Sequence, residues 1–441
     1  MTRRLLVVGL LILGATTAQA QVFHPQTATL ANGLQVIVLP NHRAPVVTQM
    51  LWYKAGAAFD PQGASGIAHF LEHLNFKGTK NHPEGEYSKI ISHLGGTENA
   101  FTSYDYTAYY ATFGKQHLPI VMAMEADRLQ NWKVTDAQVA AERKVILKER
   151  QQTVDNNPVV RFWEKVHAML YGDHPYHRPV LGWKNEMEKL DRAVAEQYHG
   201  MYYTPGNAIL VLSGDVTLDE VRPLIDKNFG PITSRTVTSP RFEMPQAPAE
   251  TMHLHERSAQ VRETVWSQHY LVPPARPQNI ATSDALLVLN KILGDSRTGR
   301  LYRRLVVKDK IATSASAHLD LINVGPADWS ITVTPQPGVD TNRIAQAVKD
   351  EIHMLLDKGV TKDEVQDATQ ALEIESVYAR DAVTGPAMIV GRALVSGLDV
   401  ATIEDWPRRM RRVSAKGVNE QAKHYLSQPP RLTAVLSPEV K

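Results

Sequence analysis

The stretch HFLEHLNFKG, residues 69–78, places two histidines four residues apart with a glutamate directly before the second. Ser65 is a favourable N-cap and Gly78 a favourable stop for a helix. The pattern therefore predicts a helix over residues 66–77.

The predicted helix brings His69 and His73 one turn apart on the same face, where two imidazoles can hold one zinc ion. Glu72 stands beside them, three residues after His69, within reach of a water held by such a metal. A carboxylate in that place can take the proton of the water as it attacks a carbonyl. The alternative is a helix whose histidines are exposed or hydrogen-bonded and have no metal role. The motif alone does not separate the two.

A catalytic zinc site usually has three protein ligands, so a third ligand is needed. The stretch TDAQVAAERKVILKERQQ begins with Thr135 and Gln138, a capping box, and predicts a second helix. Glu142 and Glu149 are seven residues apart and share one face of it. Such glutamates are usually a solvated charge stripe, but apolar residues lie near this face, so it is not purely a surface.

Here the chain resembles the insulinase-like metallopeptidases, which include pitrilysin and the mitochondrial processing peptidases. The resemblance rests on H-x-x-E-H together with a glutamate 76 residues after His73. It runs across most of the chain, and these stretches follow the order of the family: GIAHFLEHLNFKGT, GGTENAFTSYDYTAYYATF, ERKVILKERQ, YYTPGNAILVLSGDV and ILGDSRTGRLYRRL.

The resemblance implies a role for each polar residue of the two helices. His69, His73 and Glu149 would hold one zinc ion per chain, and Glu72 would be the general base. Glu142 would be a further carboxylate that supports the catalytic site.

The resemblance also implies where a peptide substrate binds. In the family an edge strand after a Gly-Gly turn lines the cleft, and here that strand is ENAF, residues 98–101. Asn99 and Ala100 would hydrogen-bond the substrate backbone as an added strand. Without the family, Asn99 would be interpreted as a turn residue.

One segment departs from the family. Complete enzymes of this family carry an arginine and a tyrosine, seven residues apart, which bind substrate and stabilise the developing oxyanion. The matching segment here is LVVKDKIATSAS, with Val306 at the arginine position and Thr313 at the tyrosine position. Valine has no donor and threonine is too short, so this chain lacks the substrate-binding pair.

The missing pair and the length of 441 residues, half that of the one-chain members, together predict a partner. Two-chain members combine a zinc subunit with a homologous chain and enclose a clamshell chamber between them. We therefore expect a heterodimer with a homologous subunit that carries the arginine and the tyrosine, or otherwise a homodimer.

The composition excludes several classes of protein. There is no cysteine, which excludes disulfides, thiolate ligands and a cysteine nucleophile, and leaves histidine and carboxylates as metal ligands.

Residues 1–20 are typical of a signal peptide, with Ala18 and Ala20 at an A-x-A cleavage site; the alternative is an uncleaved membrane anchor. Cleavage removes two arginines and with them the formal charge of +2. The signal peptide predicts a periplasmic protein whose mature chain begins at Gln21. The neutral charge of that mature chain argues against nucleic acid or an anionic membrane as its main partner.

The remaining sequence divides into two similar halves. We predict a zinc-bearing lobe over 21–234, a proline-rich linker over 235–248 and a second, metal-free lobe over 249–441. Within the first lobe, residues 34–40 and 46–56 are expected to be strands paired around a turn. Mixed helices and antiparallel strands favour an α+β fold of two homologous lobes, each a sheet with packed helices, together one half of a clamshell.

These observations predict a zinc metalloendopeptidase subunit that cuts peptides or unfolded segments in an enclosed chamber. The alternative from another class is a non-catalytic assembly subunit, as some relatives in the family are. The complete set of metal-site residues argues against the alternative, because a chain without catalysis need not keep all four.

Overall fold

The computed structural model describes residues 22–240 and 242–439. The predicted signal peptide and Gln21 lie outside these residues. The strands are β1 Gln26–Thr29, β2 Gln35–Pro40, β3 Val46–Tyr53, β4 Thr97–Thr102, β5 Thr107–Gly114, β6 Ala208–Gly214, β7 Met252–Ser258, β8 Val265–Val272, β9 Ala312–Leu319, β10 Ala327–Pro335 and β11 Leu432–Pro438. The α-helices are α1 Ile67–Leu74, α2 Glu86–His93, α3 Leu118–Asn131, α4 Asp136–Arg150, α5 Pro158–Tyr171, α6 Lys184–Met187, α7 Arg192–Tyr202, α8 Leu218–Asn228, α9 Ile280–Gly294, α10 Thr341–Lys358, α11 Lys362–Asp381, α12 Gly385–Val395, α13 Val400–Glu404, α14 Trp406–Met410 and α15 Ala415–Leu426.

The strands form two sheets with the same internal order. The first sheet runs β1-β2-β6-β3-β5-β4 and the second β7-β11-β8-β10-β9. Without β1, each strand of the first sheet has a counterpart in the second, in the same chain order. The predicted α+β fold with two homologous lobes is confirmed. Each sheet is mainly antiparallel and contains one parallel pair, β2 with β6 and β7 with β11.

The predicted pairing of β2 with β3 is wrong, because β6 lies between them. Strand β6, with the sequence AILVLSG, is buried on both faces over its first six residues, as a central strand must be. It pairs in parallel with β2 and antiparallel with β3. Because β6 follows β3 by more than 150 residues, local pattern cannot place it there.

Each half of the chain contributes a helix to the sheet of the other half. Helix α12, from the second half, packs on β3 and β6 of the first sheet. Its residues Ala387 and Val390 share a core with Trp52 and Met50. In return, helix α5 packs on β11 of the second sheet. The two lobes are therefore interlocked by apolar contacts on both sides.

Residues 233–240 and 242–251, which precede the first strand of the second sheet in the chain, form no helix or strand, as expected of a linker. The predicted domain boundaries stay a prediction. Among the described residues, no helix is long and apolar enough to cross a membrane.

Candidate metal centre

Helix α1, which carries the H-x-x-E-H motif, begins at Ile67 and ends at Leu74. The prediction that Ser65 caps it is wrong. The cap position is Gly66 with φ +87°, and a Cβ there would lie 2.4 Å from the carbonyl oxygen of Leu181, so only glycine fits. The carboxylate of buried Asp60 takes over the capping, since it accepts from the backbone N–H of Gly66 (2.7 Å) and of Ala68 (3.1 Å).

Helix α4, which carries both distal glutamates, begins with the predicted capping box of Thr135 and Gln138. The Gln138 side chain also donates to the carbonyl of Lys77, just after α1 (3.0 Å). At the other end, Arg150 donates to the Glu164 carboxylate through both terminal nitrogens (3.1 and 2.8 Å). Helix α4 is thereby held against α1 at its start and against α5 at its end.

The two helices bring three metal-ligating side chains together. Ligand atoms of His69, His73 and Glu149 all lie within 4.8 Å of one another. One oxygen of Glu149 is 3.8 Å from Nε2 of His69 and 3.4 Å from Nε2 of His73. Within the described part of the chain this is the one group of three such residues that could hold a metal ion. The fold thus brings together the three residues that the sequence predicts as zinc ligands.

The two imidazoles differ in their surroundings. Burial, with the neighbouring His73, lowers the pKa of His69 to about 4. Burial also acts to lower the pKa of His73, but hydrogen bonds to Glu142 and Glu149 outweigh it and raise that pKa to about 9. The carboxylates therefore surround His73 with negative charge, while the buried His69 stays neutral. Both features favour the binding of a metal cation between them.

Glu142 orients one of the histidines. It is 6% exposed, and its Oε1 lies 2.9 Å from Nδ1 of His73. Its other oxygen pairs with the ammonium of Lys77 (2.6 Å), which also reaches Glu84 (3.1 Å). Burial alone would raise the pKa of Glu142, but His73 and Lys77 lower it. Since Nδ1 is engaged, Nε2 of His73 is left to face the other ligand atoms.

Glu72 contacts strand β4 and lies close enough to His73 and Glu149 to interact with both electrostatically. Its carboxylate accepts a hydrogen bond from the hydroxyl of Thr102 (2.5 Å). Burial raises its pKa from the usual range.

Three supporting residues of the site were not predicted from the sequence: Lys77, Asp60 and Thr102. Lys77 and Thr102 stand in stretches quoted for the family, but nothing in the spacing assigns them a role.

Strand β4 is an edge strand of the first sheet and contains both predicted substrate-binding residues. Asn99 lies opposite Tyr110 of β5, and Ala100 opposite Tyr109. Asn99 is exposed, and its side-chain oxygen accepts from the N–H of Ala100 (2.9 Å). The prediction that Asn99 is on an edge strand rather than in a turn is confirmed; its contact with a substrate stays a prediction.

The positions that lack the family's arginine and tyrosine lie in the second half. Val306 is in a π-helical segment, Tyr302–Lys308, and packs half-buried against the second core. Thr313 is the second residue of β9, is exposed, and donates to the carbonyl of Thr334 (3.2 Å). Neither side chain offers a cationic or phenolic donor.

Two family models match the chain in succession. Insulinase (Peptidase family M16) matches residues 35–184, and Peptidase M16 inactive domain matches residues 189–372. The chain belongs to the insulinase-like family, M16. The cluster of His69, His73 and Glu149 lies wholly in the part matched by the first model.

A relative and a solved structure match this chain along almost its full length. The chain is similar to the zinc protease PqqE of Helicobacter pylori, with 29% identity over 97% of this chain and 96% of the relative. The crystal structure of a protease from Helicobacter pylori is similar with a TM-score of 0.85 and 26% identity, over 95% of this chain and all of that one. A relative named as a zinc protease thus matches this chain along almost its full length, in keeping with the zinc centre expected of an insulinase-like protein.

A longer solved relative shows the half-length relationship. The structure of the periplasmic protease PqqL from Escherichia coli matches 94% of this chain but 48% of its own, with a TM-score of 0.79 and 18% identity. The fold of this chain therefore corresponds to one half of that protein, as the clamshell interpretation expects.

Proposed function

We propose that this chain is a zinc-dependent endopeptidase subunit that cleaves peptides or unfolded polypeptide segments in an enclosed chamber. The observation that carries the proposal is the convergence of His69, His73 and Glu149, whose ligand atoms lie within 4.8 Å of one another. Two imidazole nitrogens and one carboxylate oxygen are a donor set typical of catalytic zinc, with one position open. The absence of cysteine is compatible with this set.

The residues around the cluster have complementary tasks. When bound, zinc would polarise the scissile carbonyl and make water a stronger acid. Glu72 accepts the proton of the attacking water and passes it to the leaving amine; burial raises its pKa, which favours a base that later acts as an acid. Glu142 fixes the ring of His73 through Nδ1. The edge strand β4 receives the substrate backbone at Asn99 and Ala100.

A homologous partner completes the site in this proposal. Val306 and Thr313 cannot stabilise an oxyanion, and loss of such a donor typically costs about 10²- to 10³-fold in turnover. A partner chain with the arginine and tyrosine would restore it, and the length of the Escherichia coli relative supports a two-half assembly. A homodimer of this chain, with turnover typical of complete enzymes, would refute the need for such a partner.

The same missing pair favours one alternative, a non-catalytic assembly subunit. That alternative needs no metal and no base, so it predicts that zinc content and activity are independent of His73 and Glu72.

We also propose that the protein is periplasmic, on the signal-peptide pattern of residues 1–20 and on the similarity to PqqL, a periplasmic protease of Escherichia coli.

The test separates ligand, base and scaffold. Metal analysis should find about one zinc per chain, lost in His73→Ala and kept in Glu72→Gln, whereas both variants lose cleavage of a quenched peptide in the presence of the partner. His93→Ala, which removes an exposed histidine in the last turn of α2, is the control and should change neither quantity. Zinc retained in full by His73→Ala would overturn the ligand assignment.

A further inference from the structure

The turn between β4 and β5 contains a buried carboxylate that joins the two halves of the chain. Asp105 is 2% exposed. Its Oδ1 accepts a hydrogen bond from the hydroxyl of Tyr176, and its Oδ2 accepts one from the backbone N–H of Val324 (2.9 Å). Val324 belongs to the loop between β9 and β10, so one side chain of the first half holds a loop of the second.

That loop, residues 320–326, is fixed from several directions. The N–H of Gly325 donates to the Tyr176 hydroxyl (2.8 Å), and the Tyr171 hydroxyl donates to the carbonyl of Pro326 (3.0 Å). Arg276 donates to the carbonyls of residues 323 (2.8 Å) and 324 (2.6 Å). The loop and the turn are therefore held as one unit.

The fit at Gly325 leaves no room for a side chain. A Cβ at this position would lie 2.9 Å from Cε1 of His174 and 2.9 Å from Cζ of Tyr176. Since both rings belong to buried residues, an added methyl group would have to push the loop away from the turn. Alanine at this position would therefore disturb the contact from the second half without removing any hydrogen-bonding side chain.

The turn leads directly into the proposed site. Asp105 follows Thr102 by three residues, and Thr102 is the last residue of β4 and donates to Glu72. The two residues between them are tied to the segment before α1, since the carbonyls of Ser103 and Tyr104 accept from the N–H groups of residues 57 and 58 (both 2.9 Å). A displacement of the turn would thus reach both the edge strand and the partner of the proposed base.

We propose that Asp105 is a positioning residue through which the second half of the chain holds the edge strand β4 in place for substrate binding. The proposal rests on the proposed peptidase function. It assigns a task to the lobe without metal ligands, which carries no residue of the zinc cluster. The buried carboxylate acts through the turn and touches neither substrate nor metal.

The competing explanation is a contact that stabilises the two halves in general. Glu404 supplies a matched comparison, because its carboxylate also crosses between the halves and accepts from two backbone amides, those of Val22 (2.8 Å) and Phe23 (2.9 Å). It lies near the beginning of the described chain rather than at β4. An acid-to-amide change at each position therefore alters one carboxylate that bridges the two halves, in two different places.

The experiment measures hydrogen exchange in residues 97–102 of the zinc-loaded full chain, together with zinc content. We expect Asp105→Asn and Gly325→Ala to accelerate exchange there by about tenfold or more, the change expected for loss of one hydrogen bond to a buried charged group. Glu404→Gln should leave β4 unchanged, and all three variants should keep one zinc. If β4 exchanges no faster in Asp105→Asn and Gly325→Ala than in Glu404→Gln, the proposal is overturned.

Kinetics supply a second readout. For a peptide long enough to lie along β4, Asp105→Asn and Gly325→Ala should raise KM about tenfold with a smaller change in kcat, whereas Glu404→Gln should leave KM unchanged. An equal KM in all variants would contradict the positioning role. If the wild-type chain with its partner cleaves no peptide at all, the peptidase proposal fails, while the exchange measurement still decides whether Asp105 holds β4.

Discussion

Replacement of Glu142 by glutamine tests how the histidine of the candidate metal centre is oriented. Glu142 lies between two donors, Nδ1 of His73 at 2.9 Å and the ammonium of Lys77 at 2.6 Å. A carboxylate accepts from both. An amide has one oxygen and one NH₂ group, so one of the two donors must face another donor.

Each orientation of the amide weakens metal binding. If the oxygen faces Lys77, the NH₂ group favours the tautomer of His73 with a bare Nδ1 and a proton on Nε2, which blocks the nitrogen that faces Glu149. If the oxygen faces His73, the NH₂ group meets a half-buried ammonium. Loss of such a supporting partner typically lowers metal affinity by about 10- to 100-fold, which corresponds to about 1.4–2.7 kcal/mol.

The assay is competition for zinc between the protein and a chromophoric chelator, followed by peptide cleavage at saturating zinc. We expect Glu142→Gln to bind zinc about 10- to 100-fold more weakly and to regain most of its activity when zinc is saturating, because Glu142 does not touch the reacting water. Glu84→Gln is the matched control, since Glu84 is the more exposed partner of the same lysine, and its affinity should stay within about twofold of wild type. An unchanged affinity in Glu142→Gln, alongside zinc loss in His73→Ala, would refute the orienting role.

Two further predictions concern stability. His199 stacks between Trp132 and Tyr203, and burial lowers its pKa to about 3; because the unfolded chain takes up a proton below about pH 6.5 that the folded chain does not, stability falls as the pH drops through this window. His199→Phe should therefore reduce the loss of unfolding free energy between pH 7 and pH 5 by about 2 kcal/mol in denaturant titrations, and an unchanged loss would contradict the assignment. A Cβ at Gly391 would lie 2.1 Å from Nε1 of Trp52, so Gly391→Ala should lower the unfolding free energy by about 1–3 kcal/mol. Gly200→Ala, at a helical glycine with nothing within 4 Å of the added Cβ, should instead be neutral or stabilising, and equal effects of the two alanines would argue against a clash.

The residues of the candidate metal centre could be predicted because each signal was local. The i, i+4 spacing of His69 and His73 and the seven-residue spacing of Glu142 and Glu149 each define one face of a helix. The family motif then joined the two helices, and in the structure α1 and α4 meet at those faces. The relation of Glu72 to Thr102, by contrast, depends on where β4 ends, which no local spacing contains.

The failures have physical causes of the same kind. Ser65 was a reasonable cap by residue type, but a left-handed glycine and the distant carboxylate of Asp60 do the capping instead. The two strands β2 and β3 are close in sequence and both apolar, yet β6 separates them. The sequence of helix α12 predicts an apolar face but not the sheet against which that face packs, and this sheet belongs to the other half of the chain.

The two halves share one element order but differ in the side chains that the matching helices carry. By element order α1 and α9 are counterparts, each lying between the second and third strands of its repeated unit. Helix α9 buries Leu286, Leu289 and Leu293, so the same frame packs without a metal when the helix presents apolar side chains. The candidate ligand cluster is thus a feature of the side chains on α1 and α4 and not of the shared frame. The second half carries none of the three candidate ligands, but it contacts the first half in two places. Helix α12 packs over β3 and β6 of the first sheet, and the loop of residues 320–326 donates to Asp105 in the turn that follows β4.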